Sequence, residues 1–215
     1  MRSYLPKAAA VAALLSVGLT GCAKEGDITA TGILANYTAC PPVAIAAPTG
    51  DVTMFNPVNS RDAEAIDLVA QITNVRGTCN DSGEFIVTEV SFDVQARRRD
   101  SAGPRDVVLP YFATVVQGST NIVAKRVSNI GLHFDDGQLR TSTSAAATTH
   151  VLRSAATLPE DIRDQITRER RAGDPNAAVD PMADPAVRAA VERARFEVLI
   201  GFELTEDQLR YNATR

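Results

Sequence analysis

The chain has 215 residues, a formal net charge of −4, no tryptophan and only 5% aromatic residues. This length accommodates one domain, or two small ones, with a sizeable core. The acidic balance argues against a nucleic-acid partner, whose binding proteins usually present a basic face, and the scarcity of aromatic side chains argues against a deep carbohydrate-binding platform.

The first 21 residues have the pattern of a secretory signal peptide. Arg2 and Lys7 supply a basic start, and residues 8–19 form an uncharged apolar run. Its length lies within the roughly 7–15 residues of a secretory apolar segment and falls short of the about 20 residues that a spanning helix needs. A buried core helix would explain the apolar run, but not the basic residues before it and the small residues after it.

The run ends in Leu19-Thr20-Gly21-Cys22, which resembles the lipobox of bacterial lipoproteins. The resemblance implies that the Cys22 thiol is diacylglycerylated, that the chain is cut before it, and that the new amine receives a further acyl chain such as palmitate. Several acyl chains hold a protein on a bilayer stably, whereas one does not. In this family an Asp after the cysteine favours the inner membrane; the residue here is Ala23, which implies an outer-membrane protein facing the periplasm. A soluble secreted protein cut near Cys22 is the alternative.

The two other cysteines, Cys40 and Cys79, predict a disulfide. An exported protein folds in an oxidising compartment, where such a pair is usually joined. The bridge would close a loop of about 40 residues and stabilise the fold by roughly 3–4 kcal/mol. Metal ligation is the competing interpretation, but the sequence has no C-x-x-C and only His133 and His150 as histidines, which is a poor set of zinc ligands.

Removal of residues 1–21 would leave 194 residues with 20 basic and 26 acidic side chains, a net charge of −6. Residues 22–36 are small and polar, which predicts a lipidated tether, although Ile28, Ile33 and Leu34 are also compatible with a first strand. Residues 37–215 are then predicted to form a single domain.

Residues 37–152 show mostly the period-2 alternation of half-buried strands. Pro110 lies within an apolar run and cannot donate to a β-ladder, so it predicts a sheet edge or a bulge. Asp135-Asp136-Gly137 predicts a hairpin turn. The predicted strands are 51–55, 66–73, 86–97, 107–116, 120–127, 129–134 and 139–152.

The pattern then becomes helical, with predicted helices at 160–171 and 185–194, and a final strand at 196–204 follows. Many short strands joined by turn-rich links predict a mainly β protein, an antiparallel two-sheet β-sandwich with a helical insertion near 157–194 before the last strand. An immunoglobulin-like topology is the first guess. The mature region also resembles uncharacterised envelope lipoproteins of alphaproteobacteria, a resemblance that implies no known activity.

No catalytic, cofactor-binding or metal-binding residue is predicted. The sequence has no Walker A, GxGxxG, HExxH or EF-hand pattern, and His133 and His150 are expected to be structural or solvated. The strongest charge feature is the triplet 97–99, with Arg105 nearby. It predicts either a surface for lipid phosphates or an acidic partner, or a solvated strand end neutralised by nearby aspartates.

Three functions are compatible with these features. The leading hypothesis is a non-enzymatic envelope lipoprotein that is attached to the membrane through Cys22 and acts as a protein-interaction or structural module. The alternative is a domain that binds a small ligand or a glycan through its longest loops, 56–65 and 171–184. The third is a hydrolase with an unfamiliar site, which would require His133 or His150 to be joined to a carboxylate in a pocket.

Overall fold

The computed structural model describes residues 28–29, 32–33, 38–168 and 179–214. The predicted signal peptide, Cys22, most of the tether and residues 171–178 of one candidate loop lie outside these described residues. A two-stranded pairing joins Ile28–Thr29 to Gly32–Ile33 within the predicted tether.

The described residues contain ten strands, three α-helices and three single turns of 3-10 helix. The strands are β1 (Ile28–Thr29), β2 (Gly32–Ile33), β3 (Val43–Ile45), β4 (Asp51–Phe55), β5 (Ile66–Asn80), β6 (Phe85–Arg98), β7 (Arg105–Gln117), β8 (Asn121–Phe134), β9 (Arg140–Leu152) and β10 (Phe196–Phe202). The α-helices are α1 (Glu160–Thr167), α2 (Pro185–Ala194) and α3 (Glu206–Thr214), and the 3-10 turns are Ala63–Ala65, Arg153–Ala155 and Pro181–Ala183.

Eight strands form two four-stranded sheets that pack face to face. The first sheet has the order β4-β5-β6-β9, and the second has the order β3-β10-β7-β8. All pairings are antiparallel except that of β3 with β10. The predicted antiparallel sandwich with helices before its last strand is therefore confirmed. The strand order is not that of an immunoglobulin constant-type domain. In that fold, with sheets ABED and CFG, no three strands that follow one another in the sequence lie side by side in one sheet. Here β4, β5 and β6 do so.

The core lies between the two sheets because alternate residues of each long strand point inwards. Phe92 of the first sheet meets Tyr111 of the second in an edge-to-face contact, with ring centroids 5.2 Å apart. Complete burial of a large apolar side chain contributes about 1.5–3 kcal/mol, so these rows stabilise the sandwich. The largest fully buried side chains include Phe92, Phe134, Phe202, Leu68, Ile86, Leu132 and Ile200.

Pro110 lies at a local edge, as its missing N–H requires. The ladder between β7 and β10 begins at Tyr111, one residue later. On that side the Pro110 carbonyl accepts a hydrogen bond from the Glu203 backbone N–H at 2.9 Å. In an antiparallel strand a residue's N and O point to the same side. The nitrogen of Pro110 therefore points towards Glu203, just beyond the end of β10, and its missing N–H removes a hydrogen bond only at the end of this ladder.

The three α-helices differ in how their first turns are capped. The Asp184 carboxylate accepts from the Ala186 N–H at 2.8 Å and caps α2, and Thr205 and Gln208 form the reciprocal capping box of α3. No such box forms at α1, because the Thr157 hydroxyl donates instead to the Arg153 carbonyl. Helix α1 ends at Thr167, four residues before its predicted end.

Candidate functional site

The disulfide fixes where the N-terminal segment joins the domain. Cys40 is bridged to Cys79 across 39 residues, with their Cα atoms 6.0 Å apart. Cys79 is the penultimate residue of β5, next to the hairpin that leads into β6. The predicted pairing is confirmed. It uses two of the three cysteines in the sequence, and Cys22 is the third.

The arginine triplet at the end of β6 is divided by the period-2 geometry of the strand. Arg97 and Arg99 are exposed on the outer face of the first sheet, whereas Arg98 points inwards and is only 3% exposed. The three consecutive arginines therefore have different roles. One is a core residue, and two are surface cations.

The buried Arg98 holds together two loops at this end of the sandwich. Its Nε donates to the Gln138 carbonyl at 2.7 Å, and its two terminal nitrogens donate to the carbonyls of Gly103, Ser101 and Asp135 at 2.8, 2.9 and 3.0 Å. The guanidinium carbon also lies 5.2 Å from the centre of the Phe134 ring. Because these loops lead into β7 and β9, Arg98 sets the position of the first residues of both strands.

Arg105 joins the two sheets through an ion pair. Its guanidinium makes two parallel hydrogen bonds to the Asp67 carboxylate, at 2.8 and 2.7 Å. The hydrogen bond from Arg105 is the main cause that holds the pKa of the Asp67 carboxyl below its ordinary value, while partial burial opposes it. Arg105 was expected to belong to the surface cluster. Its charge is instead compensated within the fold.

The outer face of the first sheet carries a shallow polar groove at the same end. Two neighbouring rows of side chains cross β5, β6 and β9, and they line a cavity of about 570 Å³. We call these six residues the arginine face. Its rows are Val69–Arg97–Arg140 and Gln71–Gln95–Ser142.

The cations of the arginine face have no carboxylate partner in the described part of the chain. Arg97 and Arg140 are exposed and lie directly opposite each other across β6 and β9. Neither guanidinium makes a hydrogen bond or an ion pair with a described residue. Glu64 lies with Arg97 and Arg99 around an adjoining depression of about 430 Å³, but it pairs with neither.

The nearest acid along β6 is already engaged. Asp93 is four residues from Arg97, about 13 Å along the strand at about 3.3 Å per residue. Its carboxylate accepts from the Ser144 hydroxyl at 2.7 Å and from the Asn74 amide at 2.8 Å. These hydrogen bonds, the one from Ser144 foremost, lower the pKa of Asp93. The aspartates that were expected to neutralise the triplet, Asp100 and Asp106, form no ion pair with it.

His133 lies on the other sheet in an exposed cluster. Its Nδ1 is 2.7 Å from the Asp106 carboxylate, and its Nε2 is 3.3 Å from that of Asp135. The hydrogen bond to Asp106 is the main cause that raises the pKa of His133. A carboxylate faces each ring nitrogen, and both carboxylates stabilise the protonated imidazolium relative to the neutral ring. His150 instead stacks edge-to-face on Phe85, with ring centroids 6.5 Å apart.

A second, more apolar cavity of about 300 Å³ lies between β4 and α3. The Phe55 ring meets the Tyr211 ring edge-to-face at 5.1 Å, and the Arg61 guanidinium lies 5.0 Å from the Phe55 centroid. Arg61 also approaches the Asp207 carboxylate at 3.8 Å. Val58, on the loop predicted as a ligand-binding candidate, borders this cavity and is 81% exposed.

The described residues place no three His, Cys, Asp or Glu side chains where they could jointly hold a metal ion. None of the helices in the described ranges has the length and apolar character needed to cross a bilayer. Comparisons with protein-family models, with curated proteins and with solved structures found no match.

Sequence reasoning found part of the arginine face and missed the rest. The sequence pointed to Arg97, but the same cluster included Arg98 and Arg105, which the fold uses internally, and Arg99, which lines the adjoining depression instead. It missed Arg140, because the pairing of β6 with β9 is set by long-range register. The alternation within β6 was a usable signal, since Arg98 has the same parity as the buried residues Phe92 and Val94.

Proposed function

We propose that this protein is a non-enzymatic lipoprotein of the bacterial cell envelope, anchored in the outer membrane through Cys22 and holding a β-sandwich binding domain in the periplasm. The observation that carries the proposal is the division of the three cysteines. Cys40 and Cys79 are joined inside the domain, and the remaining cysteine stands in the lipobox-like Leu19-Thr20-Gly21-Cys22.

The position of the disulfide supports a tethered binding module. The arginine face begins at Val69, ten residues before Cys79 on β5, which places it about 30 Å from the bridge at about 3.3 Å per residue. The N-terminal segment therefore joins the sandwich at one end, and the exposed cations lie near the other. Such a domain can present a surface to a partner away from its own attachment point.

Metabolic labelling with a radioactive or clickable palmitate analogue tests the anchor. The wild-type chain should carry the label and sediment with membranes, whereas Cys22→Ala should lose both properties. A double variant that replaces Cys40 and Cys79 with alanine is the matched control, because it removes two thiols and should keep the label. If Cys22→Ala retained the label and the membrane location, the proposal would be wrong.

A second candidate function is the binding of a small apolar or aromatic ligand in the cavity between β4 and α3. The observation that favours it is the contact of Phe55 with Tyr211 at the wall of a 300 Å³ cavity beside an exposed Val58. Pockets of this size with a few polar groups are typical ligand sites. The chain has no tryptophan, so ligand binding should change tyrosine fluorescence, and Val58→Asp should abolish that change. A ligand screen without any hit sensitive to Val58→Asp would reject this function.

A further inference from the structure

The register of the first sheet places two like charges side by side. Arg97 and Arg140 are direct cross-strand partners on the outer face. In antiparallel sheets such partners have Cβ atoms about 5 Å apart, and like charges at these positions destabilise the pair. No described carboxylate forms an ion pair with either guanidinium. The fold therefore keeps two repelling arginines at exposed positions where most uncharged polar residues would destabilise the sheet less.

The residues beside the two arginines are suited to a polar, extended partner. Gln71, Gln95 and Ser142 form the next row of the arginine face. Side-chain amides and hydroxyls can donate to and accept from peptide groups. No aromatic side chain lines this groove, so it offers no stacking platform for a sugar or a base. Arginine pairs with carboxylates in a bidentate geometry, which matches Asp and Glu side chains.

The groove also reaches a sheet edge. Within the described residues, β9 pairs with β6 on one side and with no strand on the other. The unpaired main-chain groups of an edge strand can bind an added strand. Several kinds of polyanion could pair with two arginines. An acidic polypeptide is the one that also supplies main-chain N–H and C=O groups for the edge strand.

We infer that the arginine face, with Arg97 and Arg140 at its centre, binds an acidic, extended segment of another protein. Carboxylates of this segment lie between the two guanidinium groups and remove their repulsion. The inference names the partner class of the proposed binding module, and it does not depend on lipid attachment. The chain is acidic overall, which disfavours general adhesion to acidic polymers.

Fluorescence anisotropy with a dye-labelled peptide of alternating Glu and Val residues tests the inference, using the full-length chain in detergent. The peptide should bind, and its affinity should fall as the salt concentration rises. Arg97→Gln and Arg140→Gln should each lower the affinity about tenfold, since each removes a charge-assisted contact. A peptide with Gln in place of Glu should bind at least tenfold more weakly. Arg126→Gln is the matched control: it removes an exposed strand arginine from the other sheet and should leave affinity unchanged.

Three results would overturn the inference. One is equal affinity of the acidic peptide for the wild type and for the double variant of Arg97 and Arg140. Another is tighter arginine-dependent binding to phosphatidylglycerol vesicles or to an RNA oligonucleotide than to the peptide. The third is a lower melting temperature of Arg140→Gln than of the wild type, because Arg140 would then stabilise the fold instead of being kept for binding. Cys22→Ala should bind as the wild type does, so loss of the anchor and loss of this site can be told apart.

Discussion

Replacement of the buried Arg98 by methionine is the change that most directly tests how the end of the sandwich is held together. Methionine has a similar length and fills the same space, but it removes four hydrogen bonds to main-chain carbonyls at 2.7–3.0 Å and the contact with the Phe134 ring. The perturbation is therefore mainly electrostatic, and the volume of the core is kept.

The expected loss follows from two opposing terms. Hydrogen bonds from a charged group contribute about 1.5–3 kcal/mol each, but burial of the guanidinium costs several kcal/mol. Loops at the strand ends can also admit water to some of the carbonyls. We expect the free energy of unfolding to fall by about 3 kcal/mol. For a domain of this size that corresponds to a decrease of roughly 6–12 °C in melting temperature.

Urea denaturation and calorimetry of three variants make the comparison. Arg98→Lys should lower the free energy of unfolding by about half as much as Arg98→Met, since an ammonium keeps the charge but lacks the planar set of donors. Arg97→Met, one residue earlier and exposed, should stay within about 0.5 kcal/mol of the wild type. If Arg98→Met were less than 1 kcal/mol destabilised, the four carbonyl contacts would not hold the loops as described.

The disulfide, the histidine cluster and the packing of β10 each give a further prediction. Reduction of the Cys40–Cys79 bridge should lower the free energy of unfolding by roughly 3–4 kcal/mol in denaturant titrations, and a loss below 1 kcal/mol would contradict this. NMR titration should place the pKa of His133 above the ordinary histidine value of 6.5, and Asp106→Asn should lower it. The pair thus stabilises the fold at low pH, and this contribution is lost as the pH rises through the folded-state pKa. Gly201→Ala should cost about 1–3 kcal/mol in thermal melts, because its Cβ would lie 1.9 Å from the Thr49 hydroxyl oxygen; an unchanged melting temperature would refute this packing.

Local patterns predicted the strands well, because alternation depends only on neighbouring residues. The runs that begin at Ile66 and Ile86 became β5 and β6, and their alternation matches the alternating burial of the two strands. The predicted break near Ser128 was wrong, since β8 continues through it from Asn121 to Phe134. A bulge opposite Val115 and Val116 shifts the register within that strand, and no local signal in the sequence marked it.

The candidate site was harder to predict because it depends on register between distant strands. Arg97 and Arg140 are 43 positions apart in the sequence and become neighbours only when β6 pairs with β9. The compensation of Arg105 by Asp67 likewise joins the two sheets. A cluster of charged residues in the sequence therefore predicts more surface charge than the fold exposes. It also does not include cations that a neighbouring strand contributes to the same surface.

The bridge at Cys79 has a mechanical consequence. Without it, tension on the N-terminal segment would first act on β3. This three-residue strand pairs with β10 alone among the described strands, so it can be peeled away one hydrogen bond at a time. With it, the load passes through a covalent bond into β5, an interior strand of fifteen residues flanked by β4 and β6. The pull then acts on a strand that pairs with β6 at Cys79 itself and along most of its length.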